Sequence, residues 1–103
     1  MNGFNLYQEE ALSFRMPSAG EVYALIGLTG EVGELNSYLA KSIRDNYYPD
    51  PKVIKKELGD VLWFVAAIAA DFGLSLGSIA EGNIEKLSGR KDRGTLQGSG
   101  DDR

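Results

Sequence analysis

A chain of 103 residues has room for one domain and not for two. Its 43% hydrophobic and 25% charged content is ordinary for a globular protein, and its net charge of −4 argues against a duplex nucleic-acid binder, which would carry a basic face. The chain has no cysteine and no histidine. This excludes disulfides, thiolate or imidazole zinc sites, and Ser-His or Cys-His nucleophile pairs, so a resident metal would be hard and oxygen-ligated, Mg²⁺ or alternatively Mn²⁺. No basic segment followed by an apolar run opens the chain. The longest apolar run, VLWFVAAIAA at 61–70, is about half a membrane span, so the chain reads as a soluble cytoplasmic protein with no membrane partner.

In chain order, residues 5–16 read as a short amphipathic helix ended by Pro17 and Gly20. In the second segment, 21–45, Leu28, Val32, Leu35, Leu39 and Ile43 step by four, three, four and four along one helix face. The stretch DNYYPDP is a connection, and Pro51 suits the first turn of a third helix. There Ile54, Leu58, Val61, Val65, Ile68 and Phe72 give the best periodicity in the chain, and Gly73 is a natural stop. Ser75 or Ser78 caps a fourth helix ending near Lys86–Gly89.

No window alternates like a strand. The expected fold is all-α, about four helices in a bundle. Residues 1–88 form the helical domain; residues 89–103, rich in glycine and arginine, form a mobile or conditionally ordered tail. From Val61 to Ala70 the third helix is apolar on every side, which points to a central position combined with contact to another subunit, as a dimer or dimer of dimers.

The chemistry lies in two acidic pairs. Glu31 and Glu34 in GEVGEL, and Glu57 and Asp60 in ELGDVL, each stand three apart, so each pair shares a helix face at about 5–6 Å. Each acid immediately precedes an apolar-stripe residue, which sets both pairs at the flank of the core. Two carboxylates about 5 Å apart repel by roughly 3 kcal/mol at an effective dielectric of about 20, so four together call for a divalent counter-ion. Gly27, Gly30, Gly33 and Gly59 are expensive inside helices, and close access to a neighbouring helix or ligand would account for them.

GEVGEL, followed after Glu34 by KELGDVLWFV, resembles the ExxE…ExxD signature of the all-α nucleoside triphosphate pyrophosphohydrolases, the MazG-like group. NIEKLSGRK and RGTLQGSGDDR also resemble the C-terminal part of short MazG-like proteins. The resemblance implies Mg²⁺-dependent hydrolysis of a (deoxy)nucleoside triphosphate to monophosphate and pyrophosphate, in nucleotide pool cleansing or balance. It also implies that Glu31, Glu34, Glu57 and Asp60 are the metal-holding and catalytic positions. Asn83, Lys86 and Arg90 match the family's Asn-x-x-Lys and following basic position and would bind phosphate or sugar; Arg93 and the tail would close over the triphosphate. Gln8, by the family's N-terminal placement, is a base or sugar contact, and Trp63 is either a stacking wall for the base or plain core. The resemblance also implies an interfacial pocket and hence a homodimer or homotetramer. The competing reading keeps the acidic site without turnover, as a helical oligomerisation or nucleotide-sensing module. A di-iron bundle is set aside because its Glu-x-x-His pairs need histidine.

Overall fold

The computed structural model describes residues 2–103 and contains four helices: α1 (Asn2–Leu12), α2 (Glu21–Arg44), α3 (Pro51–Asp71) and α4 (Leu76–Arg93). No strand occurs among the described residues, so the fold is all-α. The local signals explain most boundaries. The Asp50 carboxylate caps α3 by accepting the Lys52 amide at 2.9 Å, with Pro51 in the first turn. Ser75 caps α4 by accepting the Ser78 amide at 3.1 Å. Gly73 (φ 71°) and Gly94 (φ 72°) follow α3 and α4 in the left-handed region.

Two boundaries differ from expectation. α1 lies earlier, because the amides of Ser13, Phe14 and Arg15 turn back to the carbonyls of Glu10, Ala11 and Leu12 in tight i→i−3 bonds. The Arg15 side chain then leaves the helix line to bind the Ala19 carbonyl and, through both terminal nitrogens, Asp71 at 2.8 and 2.9 Å. That fork holds the Asp71 carboxyl below its ordinary range and ties the α1–α2 connection to the end of α3. α4 runs past Gly89 to Arg93. Arg90, Lys91 and Arg93 in its last turn suit the negative end of the helix dipole, and Gly94 supplies the stop.

α2 and α3 form a hairpin around Ala24, Phe64 and Ala67, with Leu12, Leu28, Trp63 and Ile68 packed alongside. Gly27 lets the hairpin close: a Cβ there would lie 2.1 Å from Cε1 of Phe64. Around Gly30, Gly33 and Gly59 there is open space, so close packing within the chain accounts for Gly27 alone.

The buried seam follows the stripe that periodicity picks only in part. On α2 it runs through Ala24, Leu28, Glu31, Leu35, Tyr38 and Ser42; on α3 it runs through Val53, Glu57, Phe64, Ala67 and Asp71. Stripe residues Ile43, Leu58 and Phe72 are 79%, 50% and 59% exposed. Glu31 and Glu57 therefore sit in the hairpin seam with Glu34 and Asp60 exposed at its rim, and part of the apolar stripe faces outward.

The four helices do not close into a bundle within one chain. Among the described residues α2 approaches only α3, whereas α1 packs on both α3 and α4. α4 turns 101° away from α3. The radius of gyration, 16.5 Å, exceeds the ~13 Å of a compact domain of this length. No single helix is long and apolar enough to cross a membrane.

Because Gly27 seats the Phe64 ring, Gly27→Ala is expected to destabilise the fold by about 1–3 kcal/mol through overpacking, read as a lower urea midpoint.

Candidate active site

The acidic site is a product of helix register. Glu31 lies one turn beyond Gly27 on α2, and Asp60 lies one turn before Phe64 on α3. The close Gly27–Phe64 contact therefore draws the carboxylates together. One oxygen from each of Glu31, Glu57 and Asp60 lies within 4.8 Å of the others. Glu34, exposed at the rim, lies near enough to Glu31 and Glu57 for its charge to act on both carboxyls.

Among the described residues no cationic side chain forms an ion pair with this group. The Oε2 atoms of Glu31 and Glu57 are buried without a hydrogen-bond partner. Burial, then the neighbouring Glu34 and Asp60 charges, raises both carboxyls above the ordinary glutamate range; Glu57 adds to the effect on Glu31. Tyr7, half-buried on α1, is raised by burial and then by the Asp60 charge, so α1 lies within electrostatic reach of the site.

The donor set fits a hard divalent ion. In a magnesium octahedron neighbouring oxygens are about 3 Å apart and opposite ones about 4.2 Å, so the triad, within 4.8 Å, would draw in around the ion by side-chain movement alone. An ion would also engage the two orphaned oxygens, which at present have only repulsion around them.

The remaining sequence-derived candidates fall elsewhere. Gln8 is buried and joins three helices: its amide donates to the Ala66 carbonyl at 3.1 Å and the Leu74 carbonyl at 3.2 Å, and accepts the Leu76 amide at 3.0 Å. That last bond satisfies an orphan amide at the start of α4, and both amide hydrogens are committed to backbone. Trp63 is half-buried between α1 and α3, donates from Nε1 to the Ala11 carbonyl at 2.9 Å, and meets Phe64 edge-on at 5.1 Å. Both side chains do packing work here; a polar or aromatic residue at a three-helix junction looks the same in sequence as one in a pocket.

Asn83, Lys86, Arg90 and Arg93 line up on α4, away from the carboxylates. Lys86 and Arg90 bind Asp101, and Arg93 donates to the main-chain oxygen of Arg103, so residues 94–103 are ordered against the helix. With a 101° turn between α3 and α4 and 1.5 Å rise per residue, Asp60 and Arg90 of one chain are separated by on the order of 25 Å. Tyr7 was missed: nothing in the sequence marks which face of a weakly patterned α1 meets Asp60.

The molecule is thus a small all-α protein whose central hairpin carries a cluster of carboxylates with the donor set for a divalent cation. Residues 21–95 match the MazG nucleotide pyrophosphohydrolase domain, and the chain belongs to that family. It is also 40% identical over 88 residues to the Gene 37 protein of Mycobacterium phage L5, covering 82% of this chain and 77% of that one. No solved structure matches. Membership implies a hydrolase acting on nucleotide pyrophosphate bonds, in a family that typically depends on a divalent metal.

The raised carboxyls give a signed pH dependence. The folded state holds protons on Glu31 and Glu57 that the unfolded chain, with ordinary values near 4.5, has released. Metal-free protein should therefore gain stability as pH falls from above the raised values toward 4.5, and lose it as pH rises through them. Saturating Mg²⁺ should flatten this dependence. Thermal melts across pH, with EDTA or with Mg²⁺, measure both effects.

Proposed function

We propose that the chain hydrolyses (deoxy)nucleoside triphosphates to the monophosphate and pyrophosphate, with Mg²⁺ at Glu31, Glu57 and Asp60, and serves nucleotide pool cleansing or balance. The observation that carries this reading is the carboxylate triad with two buried, unpartnered oxygens in a chain of the MazG family. When bound, the cation would neutralise the carboxylates and polarise phosphate oxygens.

The chain's residues take the other roles. Glu34, exposed beside the triad, accepts a proton from the water that attacks the α-phosphorus. The bond from that phosphorus to the α–β bridging oxygen breaks, releasing pyrophosphate. Phosphoryl chemistry rests on positioning and charge stabilisation, so a site without histidine suffices. Lys86 supplies a point charge, Arg90 a fork of donors and Asn83 hydrogen bonds for phosphate oxygens or sugar.

A gap on the order of 25 Å between Asp60 and Arg90 is too long for one triphosphate to bridge, so the acidic and basic halves act together only across two copies of the chain. The outward apolar residues Val32, Ile43, Leu58 and Leu62 support association: a small monomer gains nothing from such a face, and a second copy would bury it. The active unit is then a homodimer or a dimer of dimers.

A panel of NTPs and dNTPs with Mg²⁺ should release pyrophosphate and no orthophosphate, and EDTA should stop the reaction. Glu57→Gln is expected to lower turnover by about 10²-fold or more, as loss of a charge-stabilising group does, while the helical circular dichroism stays intact. Nucleotide binding without product in the wild type would favour the sensing module instead.

Mixing tests the two-copy site. Equal amounts of Glu57→Gln and Arg90→Ala protein, each inactive alone, should recover up to about a quarter of wild-type activity after subunit exchange, because half the dimers then hold one intact site. No recovery despite demonstrated exchange would argue for a site within one chain.

A further inference from the structure

The ten residues after α4 fold into a closed loop with its own internal bonds. The Arg103 guanidinium donates to the carbonyls of Thr95, Leu96 and Gly100 at 2.8–2.9 Å, and the Thr95 hydroxyl donates to the Arg103 main-chain oxygen at 2.9 Å. Gly94 (φ 72°), Gly98 (φ 108°) and Gly100 (φ 92°) give the turns that a short closed loop needs. The loop lies against α4 through the main chain as well as one acidic side chain: the Thr95 amide donates to the Arg90 carbonyl at 2.8 Å, and Arg90 Nη2 donates to the Asp101 main-chain carbonyl at 2.5 Å. A single oxygen of Asp101 is shared by Lys86 Nζ at 2.9 Å and Arg90 Nη2 at 3.3 Å, while Arg93 holds the Arg103 main chain.

This Arg–Asp contact differs from the structural one in the same molecule. Arg15 and Asp71 meet fork to fork, with both side chains more than four-fifths buried. Arg90 is 7% exposed yet meets Asp101 through Nη2 alone, closely at the main-chain carbonyl and loosely, at 3.3 Å, at the carboxylate; its Nε is buried without a partner, and the Asp101 side chain remains 77% exposed. A nine-tenths buried guanidinium with one unused donor, sharing a lysine-held oxygen, is built for a group with more oxygens than a carboxylate offers. Phosphate, with three terminal oxygens, would engage Nε and Nη2 side by side and still reach Lys86.

We propose that residues 94–103 are an anionic strap whose Asp101 carboxylate occupies the Lys86–Arg90 phosphate site, and that the polyphosphate of the substrate displaces it. The proposal rests on the reading of Lys86 and Arg90 as phosphate ligands. It reverses the expected closing motion: the tail leaves the site when substrate arrives, turning at Gly94, and its internal bonds let it move as a unit. The strap thus competes with the substrate and weakens the apparent affinity by the fraction of time it is closed.

The test is binding of inorganic tripolyphosphate to the full chain in magnesium buffer, by calorimetry, with amide hydrogen exchange on the same samples. Asp101→Asn, at an exposed position, should bind about 3- to 10-fold tighter than wild type. Asp102→Asn, which makes the same change in net charge on the same loop, should bind like wild type. Tripolyphosphate should speed amide exchange across residues 94–103 of the wild type. Equal or weaker binding by Asp101→Asn, the same gain from Asp102→Asn, or slower exchange in the loop on binding each overturns the proposal, as does failure of every form to bind. Absence of pyrophosphate release from all nucleotides would sink the enzymatic reading and leave these binding arms free to decide on the strap.

Discussion

Two half-buried carboxyl groups in one helix seam, Glu31 and Glu57, with Glu34 and Asp60 at its rim, are the constraint on which the rest of this structure depends. Glu31 and Glu57 occupy positions where a stable hairpin would carry leucine, and their inner oxygens have no partner. Such a seam is destabilised by its own charge, and the contact of Phe64 on Gly27 one turn away holds it together. The protein keeps an unfavourable electrostatic arrangement because apolar packing next to it is strong enough to offset the repulsion.

The same constraint shapes the outside of the hairpin. With acids in the intrachain seam, apolar residues are distributed over a wider arc than one partner helix can cover, and Val32, Ile43, Leu58 and Leu62 are left facing out. α4 swings away in place of closing over that face, carrying the basic residues with it. The carboxylate cluster thus lies on the α2–α3 hairpin and the Lys86–Arg90–Arg93 row on α4. A fold that separates its two halves in this way is suited to assembly in which each copy completes its neighbour.

Much of this was legible in the sequence, for definite reasons. The helix count and the α3 and α4 starts follow from Asp50, Pro51 and Ser75, whose capping chemistry is local. The acidic pairs stood out because their spacing alone puts them on a shared face. The periodic stripe misled because α2 and α3 each bury one face within the chain and expose another apolar face; strongest periodicity marks apolar content, and which side meets the adjacent helix is decided by Gly27 and Phe64 together. Gln8 and Trp63 could not be separated from pocket residues because their partners, Leu74, Leu76 and Ala11, are backbone groups that become neighbours only through the fold. The order of the tail was hidden for a similar reason: its glycines read as flexibility, whereas Arg103 closes the loop on main-chain carbonyls.

The contact between a glycine and a phenyl ring has one more implication. It acts as an uncharged ruler, setting the width between the two helices that bear the carboxylate cluster. Added salt screens the carboxylates without altering hydrocarbon dimensions, so the aperture offered to a cation should stay the same from dilute buffer to concentrated brine. Selection by size is then decoupled from the ionic surroundings.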